Sequence, residues 1–211
     1  MMGFRSLSVA LAITAAYLSP SAWAAPQPRD ASRDASRDFD FSFGTWKEHS
    51  SRLMHPLSGS KDWVEWDGVT VVKKIWGGRA NMAEFKGQTP SGPLELIALR
   101  IYNPESHQWS LSFATSKVGK LGDTPGVGEF HNGRIDFYDQ EPFAGTMILV
   151  RFSVWSISPT AQQSEQAFSA DGGKHWEVNW INRYALVSRS VANEAGAAER
   201  GPEAQRRNAS S

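Results

Sequence analysis

Turn-forming sequences divide most of this chain into short segments, and this feature constrains the fold more than any other. The segments between the turns are rich in β-branched and aromatic residues, and none has the sustained apolar spacing of an amphipathic helix. The pattern therefore predicts an all-β protein. The turn sequences are Ser58-Gly59-Ser60, Asp67-Gly68, Gly77-Gly78, Pro90-Ser91-Gly92, Asn103-Pro104, Pro125-Gly126, Asn132-Gly133, Ser158-Pro159 and Asp171-Gly172-Gly173.

The strands predicted between these turns form a single antiparallel meander. Asp67-Gly68 and Asn132-Gly133 suit type I′ hairpins, which need two residues with positive φ. A long meander of twisted strands tends to close, because closure removes the exposed edges. We therefore predict a small closed barrel of about nine or ten strands. The segments, one or two of which should merge or fail, are 44–54, 61–67, 69–76, 80–86, 94–102, 108–115, 127–131, 134–139, 145–156, 162–169 and 175–187.

The sequence Phe39-Asp40-Phe41-Ser42-Phe43-Gly44-Thr45-Trp46 alternates aromatic and small or polar residues before a Gly-x-Trp. Alternation with period 2 predicts a strand that places its three Phe side chains on one face. Gly44 has no Cβ, so it permits a bend or a close approach of backbone. We expect Trp46 to fill one end of the barrel.

The two ends of the chain predict export and a central folded domain. Residues 1–24 have a charged start, an apolar run too short to span a bilayer and the small-x-small sequence Ala22-Trp23-Ala24, so they are predicted to be a cleaved signal peptide. Residues 25–37 repeat Arg-Asp-Ala-Ser and are predicted to form a flexible spacer. The barrel is assigned to residues 38–188 and a disordered tail to 189–211.

The charge balance and the absence of Cys exclude several classes. With 22 basic and 22 acidic residues, the chain lacks the basic excess expected for a nucleic-acid partner or for polybasic adsorption to a membrane. No membrane span is predicted once the signal peptide is removed. Without Cys there can be no disulfide, so the stability of an exported domain must come from its core.

No cofactor, metal site or catalytic residue is predicted. The five His residues lack the paired spacing of a local zinc site, and only His49 falls on a predicted strand wall where it could bind haem or a metal. There is no Gly-x-Ser-x-Gly motif for a serine nucleophile. Asp136, Asp139 and Glu141 lie near one another, but such a cluster is typical of a solvated hairpin face rather than of a glycosidase pair.

The segment from Ser169 to Trp176 matches the Asp-box spacing of sialidases, with His175 in the Thr position. A sialidase propeller would carry several copies of this motif, and this chain has one. The single copy predicts a structural turn, in which Asp171 accepts hydrogen bonds from its own turn and Trp176 packs beneath it.

Two Arg residues lie among apolar neighbours in predicted strands. Arg100 shares a face with Leu94, Leu96 and Ala98, while Arg151 lies in the apolar segment 147–155. Either both side chains point outward, or they project into the barrel and need an anionic partner. Glu165 or a ligand carboxylate or phosphate could supply it. Together with the Trp residues of the strands, the candidate ligand-binding residues are Trp46, Trp66, Arg100, Trp109, Arg151, Trp155, Glu165 and Trp180.

Four sequence blocks together resemble the uncharacterised family DUF1579, and the resemblance covers nearly all of residues 38–185. It implies a lipocalin-like, calycin-type barrel in an exported bacterial protein, located in the periplasm or outside the cell, and it implies no activity. The blocks are 39–46, Trp66-Asp67-Gly68, Leu99-Arg100-Ile101-Tyr102-Asn103-Pro104 with Trp109, and 168–177.

The leading functional prediction is binding of a small apolar or amphipathic ligand, including an anionic one, inside the barrel. One alternative is an enzyme that acts on a substrate bound in the lumen. The other is a cell-envelope interaction module without a ligand. Trp and Arg lining a cavity would favour the first, a His or carboxylate cluster in that cavity the second, and a filled core beside an exposed apolar patch the third.

Overall fold

Residues 35–190 of the protein are described by a computed structural model. The predicted signal peptide, the spacer up to residue 34 and the predicted tail from residue 191 lie outside the described residues. Within the described part, no helix has the length and apolar character needed to cross a membrane.

Ten antiparallel strands form one closed barrel, which confirms the predicted fold class. Each strand pairs with its neighbours in sequence, and the first strand also pairs with the last. Three short 3-10 helices lie at Ala35–Arg37, Asp40–Ser42 and Trp76–Gly78. The strands are β1 Gly44–Leu53, β2 Trp63–Ile75, β3 Ala80–Thr89, β4 Gly92–Asn103, β5 Gln108–Thr115, β6 Gly126–His131, β7 Arg134–Phe143, β8 Thr146–Ser158, β9 Ala161–Ser169 and β10 Glu177–Ser188.

The prediction of a hairpin at Asp67-Gly68 is wrong, because β2 runs through both residues without a turn. Gly68 lies opposite Gly87 of β3, and a Cβ on Gly68 would be 2.3 Å from the Phe85 ring. Gly68 thus provides room for an aromatic ring over the strand rather than the positive φ of a turn. The hairpin at Asn132-Gly133 is confirmed, with φ of 50° and 79°.

The prediction that the three Phe residues of 39–43 lie in a strand is also wrong. Asp40–Ser42 is a 3-10 helix, and β1 begins only at Gly44. The segment crosses the end of the barrel, where it has no strand to pair with, and its aromatic side chains pack inward instead. Phe39 is fully buried, with its ring edge-on to Trp109 at 4.8 Å. We call these packed side chains the aromatic plug, which consists of Phe39, Phe41, Phe43, Trp46 and Trp109.

Trp46 fills the barrel end as predicted. Its side chain is fully buried, and its Nε1–H donates to the Ser42 carbonyl at 2.9 Å. The indole therefore satisfies its only polar atom within the plug while burying its apolar surface.

The packed chain extends beyond the limits 38–188 drawn from the sequence. Ala35 is only 3% exposed and belongs to the same core cluster as the aromatic plug. Arg189 donates to the carbonyls of Phe41 at 2.6 Å, of Phe43 at 2.9 Å and of Pro159, and its guanidinium lies 5.0 Å from the Trp46 ring centre. Arg189 thus fastens the segment 39–43 to the barrel.

Arg189→Ala is expected to lower the free energy of unfolding by about 1–3 kcal/mol, because it removes charge-assisted hydrogen bonds to three backbone carbonyls. Urea denaturation measures the change. Arg183→Ala is the control, since Arg183 is exposed on β10 and its loss should cost less than about 0.5 kcal/mol. Equal stability of the two variants would remove the fastening role.

Candidate functional site

A cavity of about 240 Å³ lies inside the barrel. Its lining comes from every strand except β6, since alternate residues of each strand point inward. One part of the wall is apolar and the other is polar. The main apolar lining residues are Phe85, Leu96, Phe113, Phe152 and Trp180, with Ala83 and Ala98 between them.

Glu48 is the acidic centre of the polar wall. It is 7% exposed and follows Trp46 on the inward face of β1. Thr70 of β2 donates to its Oε2, and the Ser50 hydroxyl lies 3.0 Å from its Oε1. Burial raises the pKa of Glu48 to about 7, and the two hydroxyl hydrogen bonds only partly offset this effect.

A chain of polar side chains leads from Glu48 along the wall to Tyr184. The Ser50 Oγ lies 2.8 Å from the Asn182 Oδ1, the Asn182 Nδ2 donates to the Ser164 Oγ at 3.0 Å, and the Ser164 Oγ lies 3.0 Å from the Tyr184 hydroxyl. Glu48, Asn182 and Tyr184 all line the cavity. Burial, with the charge of Glu48 as a second cause, raises the pKa of Tyr184, so this residue stays a neutral phenol.

Arg100 supplies the positive charge of the cavity. It is 6% exposed, and its Nη1 donates to the Oδ1 of Asn81, the residue directly opposite on β3, at 2.9 Å. Its guanidinium lies 5.0 Å from the ring centre of Phe39 in the aromatic plug. Among the described residues, the Arg100 Nε has no hydrogen-bond partner, and the same holds for the Trp180 Nε1. Burial lowers the pKa of Arg100 to about 10, which leaves it charged at neutral pH.

One residue of the cavity lining, Glu141 of β7, is exposed to solvent. The pairs of β5 with β6 end at Leu111 and Gly126, so the last residues of β5 have only β4 as a neighbouring strand. Phe113 on this edge and Glu141 of β7 both line the cavity, and Glu141 is exposed. Burial and the charge of Glu141 raise the pKa of nearby Asp139 to about 6. The exposed part of the cavity lining is therefore acidic.

Of the candidate residues named from the sequence, Arg100 and Trp180 line the cavity. Trp66 lies behind Trp180, with a ring separation of 6.0 Å, and so supports this wall. Trp46 and Trp109 are buried in the aromatic plug, where the Trp109 Nε1–H donates to Asp38 at 2.9 Å.

Of the two orientations considered for Arg151, the structure shows the outward one, and it also places the candidate partner Glu165 outside the cavity. Ile148, Val150 and Val154 are the buried apolar residues of β8, and Arg151 lies on the opposite face with its guanidinium 4.7 Å from the Trp176 ring centre. Trp155 shares that outer face, where Arg134 covers its ring at 4.6 Å. Glu165 lies on the outer face of β9 and accepts a hydrogen bond from Gln163 at 2.7 Å.

Glu48, Asn182 and Tyr184 were not singled out from the sequence. The orientation of Glu48 could have been predicted from the sequence. It lies two positions after Trp46, and alternate residues of a strand point to the same face, so Glu48 points inward with Trp46. Asn182 and Tyr184 share the inward parity of Trp180 on β10. A charged residue two positions from an inward Trp is the pattern that identifies such a group.

The remaining motifs lie outside the cavity. His49 is on the outer wall and contacts Asp67 at 2.8 Å, and the described residues contain no cluster of three or more potential metal ligands. The Asp-box segment is a structural turn, as predicted. Asp171 accepts hydrogen bonds from the Ser169 hydroxyl and from the backbone N–H of His175, and the Trp176 Nε1–H donates to the Gly173 carbonyl at 3.0 Å.

Comparisons with known proteins show structural likenesses at low sequence identity. No protein-family model matches the chain and no curated protein matches it, so the resemblance to DUF1579 stays a prediction. An S-type phycobiliprotein lyase from Guillardia theta is 10% identical, with 76% of this chain and 96% of that one covered and a TM-score of 0.49. A redesigned β-barrel, mFAP1, bound to DFHBI is 11% identical, with coverage of 71% and 98% and a TM-score of 0.39. With TM-scores below 0.5, neither likeness bears on what this chain binds.

Proposed function

We propose that this protein binds a small amphipathic molecule inside its barrel. The observation that carries the proposal is the cavity, in which an apolar wall faces a polar wall that contains the buried guanidinium of Arg100. A buried guanidinium is costly unless a partner stabilises its charge, and the side-chain hydrogen bond of Arg100 among the described residues goes to the neutral amide of Asn81. A ligand with an apolar body and a polar head would cover the Phe residues and supply that partner.

The volume limits the size of the ligand. An apolar cavity of about 150 Å³ in another protein accommodates benzene. A cavity of about 240 Å³ therefore suits a molecule with one substituted ring or a chain of about eight carbons. We include in the proposal that binding takes place in the periplasm or outside the cell, and the predicted signal peptide supports this part.

The cavity also ranks the alternatives. An interaction module without a ligand would have a filled interior, so the cavity supports it least. Catalysis on a bound molecule is the second candidate, because Glu48 is a cavity carboxyl with a pKa of about 7 and could accept or donate a proton near neutral pH.

Ala98→Phe is expected to abolish binding of 1-octanol and octanoate, because Ala98 lies on the cavity wall and a Phe ring there fills the space. We expect the wild-type protein to bind at least one of these probes, as measured by isothermal titration calorimetry. Ala185→Phe is the matched control, since Ala185 is exposed on β10 and does not line the cavity. The proposal fails if neither probe binds to folded wild-type protein, or if Ala98→Phe binds as wild type does.

A further inference from the structure

The Ser50 hydroxyl lies between two acceptors, the Glu48 Oε1 at 3.0 Å and the Asn182 Oδ1 at 2.8 Å. A serine hydroxyl has one hydrogen and can donate to only one of them. Both contacts are hydrogen bonds at once if one of the two neighbours is itself a donor to Ser50. The protonation state of Glu48 decides which neighbour that is.

When Glu48 is protonated, every bond in the chain runs in one direction. The Glu48 carboxyl donates to Ser50, Ser50 donates to the Asn182 carbonyl, the Asn182 amide donates to Ser164, and Ser164 donates to the Tyr184 oxygen. The Tyr184 hydrogen is then available to donate into the cavity that this residue lines.

When Glu48 is ionised, the same chain runs in reverse. Ser50 donates to the carboxylate, the Asn182 side chain turns its amide towards Ser50, Ser164 donates to the Asn182 carbonyl, and Tyr184 donates to Ser164. The Tyr184 hydroxyl then presents only lone pairs to the cavity. Protonation of Glu48 therefore changes Tyr184 from an acceptor into a donor for whatever is bound.

Protonation of Glu48 also makes the net charge of the groups that face the cavity more positive, which favours a bound anion. Among the residues that line the cavity, Arg100 of β4 is a buried cation, Glu48 of β1 is a buried acid, Tyr184 of β10 is neutral, and Glu141 of β7 is an exposed acid. With Glu48 ionised, the charges of Arg100 and Glu48 cancel, and a bound anion would leave a net negative charge in a buried site. With Glu48 protonated, the buried lining of the cavity carries the positive charge of Arg100 alone, and a bound anion neutralises it.

We propose that the ligand of this cavity is a small carboxylic acid or a similar weak acid, which binds as its anion together with one proton that Glu48 takes up. The proposal rests on the proposed binding function and adds the chemical class of the ligand and the coupling to a proton. In the bound state Arg100 and the Tyr184 hydroxyl donate to the anionic head group, and the Phe residues contact its apolar body.

The test compares octanoate with 1-octanol by calorimetry at about pH 8, in two buffers with different heats of protonation. Because the pKa of Glu48 is about 7, most of the free protein is ionised at this pH. We expect octanoate to bind with uptake of close to one proton and 1-octanol with none. The affinity for octanoate should fall by about tenfold for each pH unit above 7.

Glu48→Gln should remove the proton uptake and make the octanoate affinity independent of pH between about 6 and 9, while Glu165→Gln, on the outer face of β9, should leave both unchanged. Octanoate binding without proton uptake, or with uptake that persists in Glu48→Gln, overturns the coupling and leaves the binding function intact. No binding of either probe overturns the binding function itself. The two-buffer comparison on wild-type protein tests the coupling even if Glu48→Gln does not fold.

Discussion

Gly44→Val is expected to lower the free energy of unfolding by roughly 3 kcal/mol or more, through backbone strain and a collision at the closure of the barrel. Gly44 has φ of +131°, where residues other than Gly are strained. A Cβ there would be 2.4 Å from the Ser188 carbonyl oxygen and 3.3 Å from the Arg189 Cα. Both are backbone atoms of the segment that pairs with β1, so the junction between the first and last strands must shift.

Gly145→Val separates the two causes. Gly145 also has positive φ, +85°, but no atom lies within 4 Å of the Cβ position. It should therefore show the cost of the backbone strain alone. Urea unfolding of both variants gives the comparison. A loss in Gly44→Val no larger than in Gly145→Val would mean that the close approach at Ser188 does not stabilise the closure of the barrel.

The all-β meander was predictable because turn residues and period-2 alternation are local signals. Its two errors have a common cause. The local sequence predicts a hairpin at Asp67-Gly68 and a strand at 39–43, but it takes no account of the residues that these segments contact in the fold. In the barrel, Gly68 accommodates the Phe85 ring, and the Phe residues meet the open end of a barrel instead of a neighbouring strand. Contacts with distant residues decide both cases.

The cavity was less predictable than the fold, because β4 and β8 are apolar on both faces. Alternation alone cannot tell which face of such a strand is inside, since a shift of one residue exchanges the two. Arg100 and Arg151 have equivalent sequence surroundings, yet Arg100 lies in the cavity and Arg151 lies against Trp176 outside. β1 is different, since its Trp46 marks the inner face and so determines where Glu48 points.

Glu48→Gln is expected to change the pH dependence of stability by about 3 kcal/mol between about pH 4.5 and 7.5. The pKa of Glu48 is about 7 in the folded protein against 4.5 ordinarily. Between these values the folded protein binds a proton that the unfolded chain has lost. The stabilisation from Glu48 is therefore fully present below about pH 4.5 and is lost as the pH rises to about 7.

The difference between wild type and Glu48→Gln isolates this group from others that titrate. The pKa of Asp139 is raised to about 6 and contributes in the same direction, while that of Asp171 is lowered to about 2 by its turn hydrogen bonds and acts only in more acidic solution. Both contributions are present in both proteins, so they cancel in the difference.

Urea denaturation across the pH range should give curves that diverge as pH rises, with the variant the more stable above about pH 7. Glu165→Gln should follow the wild-type curve. Parallel curves for wild type and Glu48→Gln would mean that Glu48 is not a buried carboxyl that loses its proton near neutral pH, and its carboxylate would then be ionised in the cavity at every pH of the experiment.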